Sequence, residues 1–154
     1  MLKHKFLLLI LIFFSGCGYT PLYLGANNLD IKVNLSENTG DREIANALRI
    51  LLRKNVNSKS GDQVTISINS EYNKITATKD GAGLPSNYDL EAESVITIKY
   101  NDKTQMIKVD QKFTMNKLES KFDENNYEST IKRNFANIVY QKLVIKLNQI
   151  KLND

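Results

Sequence analysis

The chain has 154 residues, which suits one domain with a single core, and 21 lysines and arginines against 17 aspartates and glutamates give a net charge of +4. Its one cysteine, Cys17, excludes an intramolecular disulfide, and its one histidine, His4, lies near the amino terminus. Removal of an amino-terminal signal would leave no histidine, which argues against Ser-His-Asp and Cys-His nucleophiles and most zinc sites. We therefore expect that the protein is not an enzyme and holds no cofactor or metal. We also expect no nucleic-acid partner, because part of the excess of basic residues belongs to the amino-terminal signal.

Residues 1–16 have the pattern of a secretory signal peptide. Lys3 and Lys5 precede a short apolar run over residues 6–14, which is about half of the roughly 20 residues that a membrane-spanning helix needs. Residues 17–28 contain Pro21 and several glycines and asparagines, so we predict an irregular tether. The remaining residues, 29–154, are predicted to form one domain.

Four strands are predicted in this domain. Residues 29–35 alternate between apolar and polar side chains, as do residues 64–68, and Ile75 and Ala77 continue the second strand on the opposite parity. That change of parity predicts a bulge or bend between positions 69 and 74. Residues 88–100 and 107–115 complete an antiparallel meander through a loop at 81–87 and a tight turn at 101–103.

Two helices are predicted from apolar stripes at helical spacing, one over residues 42–56 and one over residues 131–150. Residues 38–41 are expected to form a turn and the amino-terminal cap of the first helix, and the polar residues 117–126 to form the last connection. Because a sheet with one apolar face needs a cover, we predict a two-layer α+β sandwich. Its four-stranded, mainly antiparallel sheet is covered by two helices, in the order β-α-β-β-β-α.

The end of the signal segment carries the most specific motif. Residues 15–17 read Ser-Gly-Cys and resemble the lipobox of bacterial lipoproteins, with Phe14 where leucine is usual. The resemblance implies cleavage between Gly16 and Cys17, an S-diacylglycerol group on Cys17, and acylation of the new amino terminus. An ordinary signal peptide with an incidental cysteine is the alternative.

The segment 16–23, Gly-Cys-Gly-Tyr-Thr-Pro-Leu-Tyr, resembles the start of the lipopolysaccharide-assembly lipoprotein family (LptE), especially its alphaproteobacterial members. The predicted element order is also similar to that of the family. The resemblance implies a lipid-anchored, periplasm-facing protein of the outer membrane. It also implies a large β-barrel partner of the LptD type, with which the chain inserts lipopolysaccharide as plug and assembly factor. The alternatives are a carrier that binds a lipid or amphipathic ligand in its own cavity, and an anchored enzyme of carboxylate type.

Candidate binding residues fall in three groups. In the tether, Tyr19, Pro21, Leu22 and Tyr23 are expected to contact the partner or the lipid interface, unless this segment is only a spacer. Lys74 and Lys79 are expected to flank the tip of the second hairpin and, with Arg42, Arg49 and Arg53, to bind lipid A phosphates; a solvated polar face is the alternative. Asp89, Glu91 and Glu93 share one strand face, which suits solubility and edge protection better than a metal site.

Overall fold

Six elements follow one another in the residues that the computed structural model describes, 32–55 and 63–152. The elements are β1 (Lys32–Gly40), α1 (Arg42–Asn55), β2 (Gln63–Lys79), β3 (Pro85–Tyr100), β4 (Lys103–Asn116) and α2 (Lys121–Leu152). This order confirms the predicted β-α-β-β-β-α arrangement and the α+β class. The signal segment, the tether, residues 29–31 and the predicted end of the first helix at 56–61 lie outside the described residues.

The four strands form one open sheet in the order β1-β2-β3-β4. β1 is parallel to β2, and the pairs β2–β3 and β3–β4 are antiparallel, as the predicted mainly antiparallel sheet requires. The parallel pair follows from the chain path, because α1 carries the chain back from the end of β1 to the start of β2. Both helices belong to a layer on one face of the sheet.

The core lies between the sheet and this helix layer. Alternate residues of β2 and β3, among them Ile66 and Ile96, are fully buried and face the helices. Leu48 of α1 and Phe135 of α2 are equally buried and complete the same cluster. A smaller cluster of Leu90, Met115 and Ile131 lies beside it.

The junction of β1 and α1 departs from the predicted turn. Residues 38–40 continue β1 because they pair with residues 68–70 of β2, a partner distant in sequence. The chain then enters the helix at once: the carboxylate oxygen Oδ1 of Asp41 accepts hydrogen bonds from the backbone N–H groups of Glu43 and Ile44, at 3.0 and 3.1 Å. The predicted cap is thus confirmed and the predicted turn is wrong.

The predicted bulge in the middle of β2 is also wrong. The β2–β3 register runs without interruption from Thr65 to Thr76, and its irregularities come only at positions 76–79. Ile75 therefore faces the open side of the sheet, where 48% of its surface is exposed. The inward positions beyond Ile68 are occupied by polar side chains instead.

The second helix is longer than predicted at its amino end. It begins at Lys121, inside the segment predicted as a connection, because the hydroxyl of Ser120 accepts hydrogen bonds from the N–H groups of Phe122 and Asp123. The additional turns place the carboxylates of Glu124 and Glu128 opposite the second half of β2. This placement creates the site described next.

Candidate functional site

The second half of β2 presents polar side chains to the amino-terminal turns of α2. Nζ of Lys74 lies 3.1 Å from Oε2 of Glu124 and 2.8 Å from Oε1 of Glu128. The same ammonium group lies 4.0 Å from the centroid of the Tyr88 ring, a cation–π distance. Glu128 also accepts a hydrogen bond of 3.0 Å from the hydroxyl of Tyr72. One lysine thus joins strand and helix through two carboxylates and a ring.

A second lysine joins the other helix to this arrangement. Nζ of Lys132 on α2 lies 2.8 Å from Oδ2 of Asp41, the cap of α1, and 4.2 Å from the centroid of the Tyr72 ring. Nearby, Ser129 donates a hydrogen bond to Glu43, so the amino-terminal parts of both helices are tied together. We call the set Asp41, Tyr72, Lys74, Glu124, Glu128 and Lys132 the inward polar network.

Burial, hydrogen bonds and neighbouring charges shift the pKa values of four members of this network: Asp41, Tyr72, Lys74 and Glu124. Burial alone would raise the pKa values of Asp41 and Glu124, but hydrogen bonds and opposite charge from Lys132 and Lys74 outweigh it and lower both pKa values. Burial would lower the pKa of Lys74, but its two carboxylate partners raise it. Burial and the charge of Glu128 raise the pKa of Tyr72. These shifts keep Asp41 and Glu124 anionic and Lys74 cationic near neutral pH.

We expect acid to remove this stabilisation. The pKa values of Asp41 and Glu124 are lower in the folded than in the unfolded chain, so their contribution is complete above the ordinary values of 3.8 and 4.5. It is lost as the pH falls through the lower folded values, where the unfolded chain binds more protons. Urea unfolding measured from pH 7 to pH 2 checks this, with the double variant Asp41→Asn and Glu124→Gln as control. An equally steep acid loss in that variant would contradict the assignment.

Sequence reasoning missed most of the inward polar network. The available signal was the continuation of the inward parity of β2 through Ser70, Tyr72 and Lys74, together with Glu124 and Glu128 one helical turn apart. It was read differently because Ile75 and Ala77 suggested a change of parity. The network is a set of ion pairs that holds α2 to β2 and to the amino-terminal cap of α1. In the described part of the chain, no three His, Cys, Asp or Glu side chains come together as metal ligands.

The structure separates the cations that the sequence placed in one cluster. Lys79 lies at the end of β2 and is exposed, close to the turn in which Asp80 accepts hydrogen bonds from backbone N–H groups of the tip. Lys74 pairs in register with Leu90, farther down the hairpin, so its predicted place at the tip is wrong. The predicted arginines, Arg42, Arg49 and Arg53, lie exposed on α1. Binding of phosphate by Lys79 or Lys74 stays a prediction.

The carboxylates of β3 lie on the open face of the sheet, as predicted, but β3 is paired on both sides, so the predicted edge protection is wrong. Lys112 of β4 contacts Asp89 at 2.9 Å and Glu91 at 3.3 Å, and Lys108 contacts Glu93 at 2.9 Å. These lysines are more than half exposed, so each ion pair adds little to stability. The arrangement is that of a solvated sheet face on which three carboxylates share two lysines.

Two hollows at the rim of the sandwich are open to solvent. One, of about 350 Å³, lies between the end of the β3–β4 hairpin and the last turns of α2, and its lining includes Tyr100 and Lys146. The other, of about 280 Å³, lies between β1 and α1, with Leu35 and Leu52 in its wall and Arg49 and Arg53 at its edge. The space between the sheet and the helices is occupied by the fully buried side chains of the core.

No helix among residues 32–55 and 63–152 combines the length and the hydropathy needed to cross a membrane. No family model matches the sequence, and no curated protein matches it. The fold is similar to that of rare lipoprotein B from Shewanella oneidensis, with 13% identity, a TM-score of 0.62, and coverage of 79% of this chain and 98% of that one. It is also similar to a minor lipoprotein from Acinetobacter baumannii, with 11% identity, a TM-score of 0.54, and coverage of 77% and 96%. The chain has a fold that solved bacterial lipoproteins share.

Proposed function

We propose that the protein is a lipoprotein of the outer membrane, anchored through Cys17 and facing the periplasm. In this proposal it acts with a large β-barrel partner of the LptD type, as plug and assembly factor, in the insertion of lipopolysaccharide. One observation carries the proposal: a lipobox-like motif and the family-like segment 16–23 precede a domain whose fold is that of bacterial lipoproteins.

The proposed anchor agrees with the energetics of membrane attachment. One acyl chain gives only marginal binding, whereas a cysteine that carries both a diacylglycerol and an N-acyl group holds a small domain stably at a bilayer. Gly18 follows the cysteine, where an aspartate would favour retention in the inner membrane of bacteria. The residue after the cysteine is therefore compatible with transport to the outer membrane.

A binding and assembly role also suits the described domain. In the inward polar network, Lys74 forms ion pairs with both Glu124 and Glu128. Such pairs join elements to one another. The filled core supports the assembly role over the alternative of a carrier with its own cavity, since hollows among the described residues lie at the rim and on the open sheet face.

The test is an affinity pull-down of the carboxy-terminally tagged protein from detergent-solubilised outer membranes, with mass spectrometry of the recovered material. We expect a large β-barrel protein in near-equal amount, because a plug and its barrel form a stable one-to-one complex. Recovery of the tagged protein with lipid alone would favour the carrier and contradict the assembly role.

The matched control is the Cys17→Ser variant, which keeps the domain and removes the thiol that takes the lipid. It should fail to incorporate radioactive palmitate and should lose the barrel from the recovered material, because the chain no longer reaches the outer membrane. Palmitate incorporation that persists in Cys17→Ser would show that Cys17 is not the lipid attachment site. If the wild-type chain carries palmitate but no barrel protein is recovered with it, the result would support the proposed lipid anchor and reject the proposed barrel partner.

A further inference from the structure

Charge is distributed unequally between the two layers of the fold. Glu43 is the only acidic residue of α1, and α2 has none after Glu128. The helices carry exposed cations instead, at Arg42, Arg49, Arg53 and Lys142. The carboxylates of Glu91 and Glu93 lie on the opposite, open face of the sheet, beside the lysines of β4. The helix side of the domain is therefore basic, and the sheet side is mixed.

Exposed apolar side chains accompany these cations. Ile50 of α1 is 57% exposed and Ile145 of α2 is 43% exposed, although both helices bury other apolar residues fully. Among the described residues, no carboxylate lies within ion-pair distance of Arg49 or Arg53, and Arg49 donates a hydrogen bond only to the amide oxygen of Asn46, at 3.2 Å. We call the following set the basic helix face: Arg42, Arg49, Ile50, Arg53, Lys142 and Ile145.

We propose that the basic helix face lies against the anionic phospholipid headgroups of a bilayer while the chain is anchored but not yet seated in its barrel partner. Two properties point to a lipid surface. Unpaired cations are attracted to a negatively charged leaflet. Exposed isoleucines among them match the composition of helices that rest at the boundary between headgroups and acyl chains, where they bury apolar area.

The orientation follows from the same charges. An anionic surface attracts the helix layer and repels the carboxylates of Asp89, Glu91 and Glu93, so the open sheet face points away from the membrane. One step of the inference, the confinement of the face near the membrane, rests on the proposed lipid attachment at Cys17. Residues 18–31 span at most about 50 Å, so the tether keeps the face near the surface, where a weak contact is sufficient.

The first test reads the depth of two labelled positions. The full-length chain is purified from membranes and reconstituted into vesicles of neutral phosphatidylcholine, or of phosphatidylcholine with 30% phosphatidylglycerol (roughly a physiological anionic fraction). Ile50→Cys carries a spin label, and Met106→Cys, 70% exposed on the open sheet face, carries the matched label. We expect the label at position 50 to lose collisions with a water-soluble nickel complex in anionic vesicles only, and the label at position 106 to keep them.

Lipid attachment is scored separately in the same experiment. A chain acylated at Cys17 has no free thiol, so the parent chain, without an added cysteine, should not take the spin label. If the parent chain is labelled, lipid attachment at Cys17 is rejected. The signal of the labelled parent chain is then subtracted from the signals of the variants. Docking is then still read from positions 50 and 106 in the vesicle-bound fraction. Equal exposure of both labels in anionic vesicles would overturn docking, as would protection of position 106 alone.

The second test reverses charge. The double variant Arg49→Glu and Arg53→Glu should lower the surface-bound population at least about 25-fold, because each basic residue near an anionic membrane contributes roughly fivefold. The matched variant, Lys99→Glu and Lys117→Glu, changes the net charge equally at exposed positions outside the helices and should keep position 50 protected. An equal loss in both variants would reject the basic helix face as the contact. Protection at position 50 that needs a barrel protein and appears on no vesicle would assign the face to a protein partner.

Discussion

Replacing Gly40 with alanine is expected to lower the free energy of unfolding by roughly 3 kcal/mol or more, a large part of the stability of a small domain. Gly40 has a φ angle of 90°, which side chains other than glycine rarely adopt. A β-carbon there would also overlap the backbone carbonyl of Ser70 in β2. Relief of the overlap requires β1 to move away from β2, which breaks the hydrogen bond of 2.7 Å from the Asp41 N–H to the Ser70 carbonyl.

Gly83→Ala is the matched control for this prediction. Gly83 has a similar φ angle of 80°, but nothing lies within 4 Å of the position that its β-carbon would take. Its substitution should cost only the left-handed backbone strain, about 1 kcal/mol. Chemical denaturation of both variants measures the difference. Equal losses would show that the close approach to Ser70 contributes nothing and that backbone strain accounts for both.

Replacing Lys74 with methionine is expected to cost about 3 kcal/mol. Methionine keeps the approximate length of the side chain and removes the charge, which leaves Glu128 without its cation and Glu124 with only the exposed Lys121, at 3.1 Å. The side chain of Glu124 is only 6% exposed, so solvent does not compensate it. Removal of one partner of a buried ion pair costs more than the pair contributes, because the remaining charge stays buried.

Lys79→Met is the matched control, since Lys79 is exposed at the end of the same strand. It should change the free energy of unfolding by less than about 0.5 kcal/mol. The triple variant Lys74→Met, Glu124→Gln and Glu128→Gln should recover part of the loss by removing the unpaired charges. A single Lys74→Met variant as stable as Lys79→Met would mean that the ion pairs do not hold α2 to the sheet.

The architecture could be predicted because it depends on periodic burial. The apolar alternation of β2 and β3 and the stripes of the helices are local patterns, and the structure keeps Ile66, Ile96, Leu48 and Phe135 in the core. The cap at Asp41 was also local, because its acceptor and donors are neighbours in the chain. Local features of this kind need no knowledge of distant partners.

The errors share one physical cause, which is pairing between distant residues. Residues 38–40 have turn-forming side chains, yet they form a strand because β2 supplies hydrogen-bonding partners. The local sequence predicts that Lys74 is an exposed cation, but the packing of α2 places Glu124 and Glu128 beside it. Ile75 reads as a core residue, but a strand cannot change its parity without a bulge, and the continuous register keeps the side chain on the open face.

Among residues 32–55 and 63–152, the open sheet leaves two unpaired edges, and each has a feature that opposes aggregation. β1 has an irregular register between Leu35 and Glu37, and the hydroxyl of Ser36 between them bonds the carbonyl of Ile66. An irregularity of this kind distorts an edge and makes it a poor template for another strand. β4 is long and more regular, and its lysines, including Lys108 and Lys112, add exposed charge that discourages pairing between copies.

This edge protection would have a particular value under the proposed attachment at Cys17, which would hold the protein on a membrane surface. Copies tethered to one membrane meet far more often than copies free in solution, because the tether confines them to a thin layer. Two bare strand edges would then pair readily into dimers and longer ribbons. In the proposed anchored state, the lysines of β4 would repel the same edge of a neighbouring copy and so oppose polymerisation of copies crowded on the membrane.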